Sequence, residues 1–221
     1  MQSASHYYNL TEILDFPAIA HYNEHIFNIW SNDVLHPHII STNSQKVLSL
    51  LVKFSDQEFY EREVARRLGV SSGSANRALN ELFSSGVVTR RREGKMYFYS
   101  IDSSNAAITE FKKIINLMLI EPLVEELKNV SNRIVLYGSS AQGTDTSESD
   151  VDLFVVSDNK KRVLETISSF GFPRGFEKVR VQSVVKSPVE LLEAKGAEQA
   201  FIEEVERGIV LWERVASESR V

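Results

Sequence analysis

Two short apolar runs, Ile134–Tyr137 and Val151–Val156, frame the most constraining stretch of the chain. The first runs directly into Gly138-Ser139; the second is entered through Asp150, with Asp152 two residues on. Aspartates two apart on a strand point to one face, roughly 6–7 Å apart at Cα. Such carboxylates repel by about a few kcal/mol at an effective dielectric near 20, and a shared divalent cation turns that repulsion into a binding site. On the opposite side, Gly138 permits close backbone approach. Ala141-Gln142-Gly143 reads as one helical turn, so the N–H groups of Ser139 and Ser140 at its start point toward an anion. The Ser139 hydroxyl can donate to a terminal phosphate. An anion-holding turn thus faces a carboxylate pair suited to Mg2+ or Mn2+.

A second pattern begins at Gln45. Val47, Leu48, Leu50 and Leu51 give one apolar helix face, and Phe59–Leu68 predicts a second helix, stopped by Gly69. Val70-Ser71-Ser72-Gly73 reads as a turn with serines available as caps. Ser74–Ser84 follows as a third helix, with Ala75, Ala78, Leu79, Leu82 and Phe83 as its apolar stripe. Val87–Arg92, a tight turn at Glu93-Gly94 and Lys95–Ile101 predict a hairpin. The stretches Val64-Ala65-Arg66-Arg67-Leu68-Gly69-Val70-Ser71, Ala78-Leu79-Asn80-Glu81-Leu82 and Ser85-Gly86-Val87-Val88 resemble the winged helix-turn-helix of bacterial and archaeal regulators over about 60 residues. That resemblance implies double-stranded DNA as partner, with the third helix in the major groove and the hairpin on the backbone. Arg77 can then pair with guanine and Asn80 with adenine, while Arg90, Arg91, Arg92 and Lys95 neutralise phosphates. Solvated charge on a protein-contact module is the competing reading of the same residues.

Charge agrees with a nucleic-acid face in one place only. The whole chain carries a net charge of −5, yet residues 41–102 hold 10 Lys and Arg against 7 Asp and Glu. With no cysteine in 221 residues, disulfides, thiolate metal sites and cysteine nucleophiles are excluded. The apolar run Ile114–Ile120 is far short of the about 20 residues a membrane span needs, and the N-terminus lacks the pattern of a signal peptide. A cytoplasmic protein without membrane contact is expected.

The Gly-Ser and Asp-x-Asp elements resemble the minimal nucleotidyltransferases of the DNA polymerase β superfamily, from about Ser131 to Arg214. Tyr137-Gly138-Ser139 and Asp150-Val151-Asp152-Leu153 match that motif, and Gly208-Ile-Val-Leu-Trp212-Glu213 resembles the closing segment of relatives. The resemblance implies catalytic and metal-binding roles for Asp150 and Asp152, nucleotide contacts from Gly138, Ser139 and Ser140, and an NTP, ATP for choice, as donor to a hydroxyl acceptor. That acceptor could be a protein, since some relatives are antitoxins that adenylylate a HEPN-type toxin. One departure stands out. Relatives carry a third carboxylate on the next strand, as ligand and base, but Lys178–Lys186 contains neither Asp nor Glu. Gln182 or Ser183 takes the place, and Glu177 could substitute only by a shift of register. A transcription regulator whose transferase domain only binds nucleotide or a partner protein is therefore the alternative to an active enzyme.

The expected fold class is α+β: an N-terminal winged helix-turn-helix followed by a small mixed β-sheet nucleotidyltransferase domain flanked by helices. The expected divisions are an extension at 1–40, partly helical around His21–Trp30, the winged helix at 41–102, a helical connector of one or two helices at 103–130, and the transferase domain at 131–221. Val179–Lys186 predicts the third strand, and Ser187-Pro188-Val189-Glu190 a capping box with proline at the first helical position. His21 and His25 have metal-pair spacing, with His36 and His38 beyond, but nothing nearby supplies a third ligand or base.

Overall fold

The computed structural model describes residues 40–214; the expected helix and the histidines before residue 40 lie outside that range. Helix α1 (Asn43–Lys53) starts on a capping box, in which the Thr42 side chain accepts from the Gln45 N–H and Gln45 reaches back to Thr42. The next helix begins later than its periodicity suggests. Phe59–Tyr60 is a two-residue strand, β1, and helix α2 spans Glu61–Leu68. The reason is cross-strand pairing, Phe59 with Tyr99 and Tyr60 with Phe98, which buries Phe59 completely. Helix α3 (Ser72–Ser84) is capped by Ser71, whose hydroxyl accepts from the Ser74 N–H. The hairpin of β2 (Thr89–Glu93) and β3 (Met96–Ser100) turns through Gly94-Lys95, one residue later than expected. Sheet order is β1-β3-β2: helix, helix, turn, helix and wing, the architecture of a winged helix-turn-helix.

The connector is one helix, α4 (Ala106–Lys128), 23 residues long and continuous through Pro122. Proline there removes one backbone donor, and packing on both sides compensates. Ile115, Met118, Leu119, Ile120, Leu123, Val124 and Leu127 are all buried, each contributing on the order of 1.5–3 kcal/mol of apolar transfer. Most of them join one continuous core with α1, α3, β4 and β5 residues.

Beyond α4 come β4 (Arg133–Tyr137), the five-residue helix α5 (Gly138–Gln142), β5 (Val151–Val156), α6 (Lys160–Ser169), β6 (Val181–Lys186), α7 (Pro188–Glu193), α8 (Ala197–Val205) and β7 (Ile209–Glu213). The sheet runs β6-β5-β4-β7. β4 pairs antiparallel with β5 and β7, and β5 pairs parallel with β6. The mixed α+β class expected from the sequence is the observed one. The Ser187 capping box on α7 is present, with Pro188 in the first helical position. Among the described residues no helix is long and apolar enough to cross a membrane.

Candidate functional site

The antiparallel register puts Tyr137, the last residue of β4, opposite Asp152. The chain then enters α5 at Gly138 with φ +67°, a conformation costing an L side chain about 1–2 kcal/mol. Space is short as well: a Cβ on Gly138 would lie 2.6 Å from the Asp152 carboxylate. The backbone conformation thus calls for glycine, and the Asp152 carboxylate rests so close to the turn that a Cβ there would have to displace it. Burial, with the neighbouring charge of Asp150 adding to it, pushes the Asp152 carboxyl above the ordinary aspartate range. Tyr137 is pushed up likewise, first by burial and then by Asp152; its ring meets Phe201 edge-on at 5.6 Å.

The parallel register of β5 with β6 decides between the two candidates for the third position. Gln182 pairs with Asp152, whereas Ser183 pairs with Leu153 and so faces the other side. One step back, the Val151 N–H donates to the Arg180 carbonyl, and the Arg180 guanidinium donates to Asp150 at 2.8 Å. Arg180-Val181-Gln182 therefore lies alongside Asp150-Val151-Asp152 as a matched set. Among the described residues no three acidic or histidine side chains converge as a metal cluster.

The turn is anchored from behind by a polar network that nothing in the local sequence announces. Asn116 of α4 donates to the Ser140 carbonyl at 2.9 Å and to Asp145 at 2.8 Å. Lys53, from the last turn of α1, donates to Asp145 at 2.6 Å and to Asn116 at 2.8 Å. Lys112 donates to the Asp145 carbonyl at 2.5 Å. Burial holds the Lys112 ammonium below the usual lysine range, with Lys53 adding to the effect against the pull of Asp145. All four residues are at most 3% exposed. Gly143 abuts α4 so closely that a Cβ would lie 2.3 Å from the Thr109 carbonyl oxygen. Asp56 fastens the far end of the loop, accepting from the Ser147 N–H at 3.0 Å and its hydroxyl at 2.6 Å. Ser140 is fully buried, its hydroxyl directed at the Asp150 carbonyl at 3.5 Å; Ser139 is half-buried beside it.

The nominated DNA-facing residues fall into two kinds. Arg77, Arg92 and Lys95 are exposed. Arg90 and Arg91 are engaged within the protein. The Arg90 guanidinium lies 4.0 Å from the Phe83 ring centroid and 4.4 Å from that of Tyr97, and it donates to Asn80 at 3.2 Å. The Asn80 amide in turn donates to Asn76. Arg91 pairs with Glu58 at 2.7 Å and Glu93 at 2.6 Å; the Arg91 hydrogen bond holds the Glu58 carboxyl below its ordinary range. Arg92 donates to the Gly94 carbonyl at 3.1 Å.

Comparison with known proteins places a boundary on this picture. Residues 117–213 match the family model described as "Nucleotidyltransferase domain". No curated protein sequence matches the chain. Among solved structures, reduced HlyU from Vibrio cholerae is 17% identical, with 54% of this chain and 96% of that one covered, at a TM-score of 0.26. NolR from Sinorhizobium fredii is 16% identical, covering 44% and 88%, at 0.27. The transcriptional regulator BldR from Sulfolobus solfataricus is 21% identical, covering 52% and 80%, at 0.33. The winged helix rests on its own elements and pairing, not on those shallow overlaps. The glycine-serine turn and both aspartates lie inside the segment that matches a nucleotidyltransferase domain, and the elements before it have the architecture of a winged helix-turn-helix.

Proposed function

We propose that the protein binds double-stranded DNA through α3 and the wing, and uses its second domain to transfer a nucleotide from an NTP, ATP for choice, to a hydroxyl acceptor. The observation that carries the transferase reading is the contact of the Asp152 carboxylate with the Gly138 turn. The first N–H groups of α5 have no helical acceptor, so Ser139 and the backbone beside it would hold phosphate oxygens. Asp150 and Asp152 fit a divalent ion, Mg2+ or Mn2+: they share a face, and a cation there would offset both the burial that raises the Asp152 carboxyl and the smaller effect of the neighbouring Asp150 charge. Bound there, the ion supplies positive charge for the triphosphate. Arg180 already places one positive charge on Asp150, and Gln182, paired with Asp152 across the strands, would offer an amide oxygen as the neutral third donor.

Gln182 favours a second reading. An amide cannot take a proton from an attacking hydroxyl, so a regulator that binds nucleotide, or docks a partner protein, without efficient transfer is also supported. Calorimetric titration with Mg–ATP tests the shared part. Asp150→Ala with Asp152→Ala abolishes binding on this account, and unchanged affinity would remove both transfer and nucleotide sensing, leaving partner docking alone. Incubation with α-labelled ATP then separates them: label on a protein or nucleic-acid acceptor supports transfer, and bound but unreacted nucleotide supports sensing.

A further inference from the structure

Arg66, Arg67, Arg174, Gly175, Glu177 and Lys178 line a cleft of about 760 Å³ between α2 and the segment leading into β6. Two of its arginines are held in place. Arg67 pairs with Glu63 at 3.0 Å, its guanidinium 4.9 Å from the Phe59 ring centroid and 5.4 Å from that of Phe54. Arg174 donates to the Arg66 carbonyl at 3.1 Å and packs on Gly69, the residue that ends α2. Glu177, the one acid in the lining among the described residues, accepts from the Gly175 N–H at 2.9 Å and so closes its own turn. The side chains of Arg66 and Lys178 are exposed.

The location gives this charge its meaning. Gly69 stands two residues before Ser71, the N-cap of α3, so the cleft borders the N-terminal end of the recognition helix. The wing meets the other end, where Arg90 lies over Phe83 and bonds Asn80, and it carries the exposed cations Arg92 and Lys95. Thirteen helical residues span about 20 Å, roughly six base-pair steps. Cationic surface thus sits at both ends of α3, one contributed by the winged helix and one partly by the other domain. The cleft is open and its outer cations are solvent-facing, which suits a duplex backbone lying across it better than a small anion enclosed within it.

We propose that Arg174 and Lys178, with Arg66, contact DNA phosphates beyond the N-terminal end of α3, so that the transferase domain is itself part of the duplex-binding surface. The proposal rests on the DNA-binding reading above. Neutralising one phosphate-bound cation lowers the slope of log affinity against log salt by about 0.9, and it weakens binding alike for unrelated sequences. The experiment is fluorescence anisotropy of the full chain on a labelled 30-base-pair duplex across a salt series, with thermal melting as a folding control. Lys178→Gln, which alters a solvent-facing side chain, lowers the slope by about 0.9; Arg174→Gln with Lys178→Gln lowers it by about 1.8. A wild type that binds no duplex would defeat the DNA reading and this proposal together. Wild-type binding with unchanged slopes in both folded variants would defeat this proposal alone. Unchanged slopes together with weakened binding of inorganic triphosphate would reassign the cleft to a small anion.

Discussion

The surface proposed to face DNA and the turn proposed to hold a nucleotide are built on opposite principles. On the first, long cationic side chains project from a helix and a hairpin, and their positions depend on neighbours. Arg91 is committed to Glu58 and Glu93, and Arg90 is stacked between two rings. On the second, backbone and short side chains set the geometry: a glycine at positive φ, a carboxylate touching it, and a loop pinned from behind by buried polar groups. The first can change a partner with little effect on the fold. The second has its fold and its site in the same atoms.

That contrast predicts unequal responses to substitution. The largest is at Lys53, behind the turn in the buried network. Lys53→Met strands the buried Asp145 charge and should destabilise the chain by about 3–5 kcal/mol, measured by urea denaturation. Restoring balance with Asp145→Asn in the same chain should recover part of the loss; a Lys53→Met loss below about 1 kcal/mol would mean that the network is ornamental. Next comes Arg77→Ala, expected to weaken binding to a preferred duplex by about 1–3 kcal/mol while leaving the melting temperature unchanged. Equal losses on unrelated duplexes would demote Arg77 to a phosphate contact. Gly138→Ala should cost about 1–2 kcal/mol of stability from backbone conformation, the smallest energetic change. It should nonetheless remove Mg–ATP binding by displacing Asp152. A Gly138→Ala chain that binds Mg–ATP normally would break the claim that fold and site share atoms there.

The same contrast explains what the chain reveals without its structure. Gly138, Ser139, Asp150 and Asp152 are legible because backbone geometry and paired charge admit few residue types, at fixed separations. The choice of Gln182 over Ser183 is not, because strand register is a property of the pairing and not of either strand. Arg180 escapes notice for the same reason, although its alternation with Gln182 mirrors that of the two aspartates and is a usable signal. Phe59 and Tyr60 satisfy an amphipathic helix and a strand equally well, and only the aromatic partners across the sheet decide. The bond between Lys53 and Asp145 spans 92 positions; neither residue carries a local mark distinguishing it from a solvated charge.

Helix α4 gives this arrangement a further consequence. Its buried residues share one continuous core with elements before and after it, and at 23 residues it is about 34 Å of stiff rod rather than a hinge. The winged helix and the Gly138 turn are both fastened beside this rod, where Lys53 and Asp145 meet at Asn116, and so keep a constant spacing and bearing. On the proposed function, a duplex held by the first would present only the groups at a single offset to the second, so the molecule would act as a ruler.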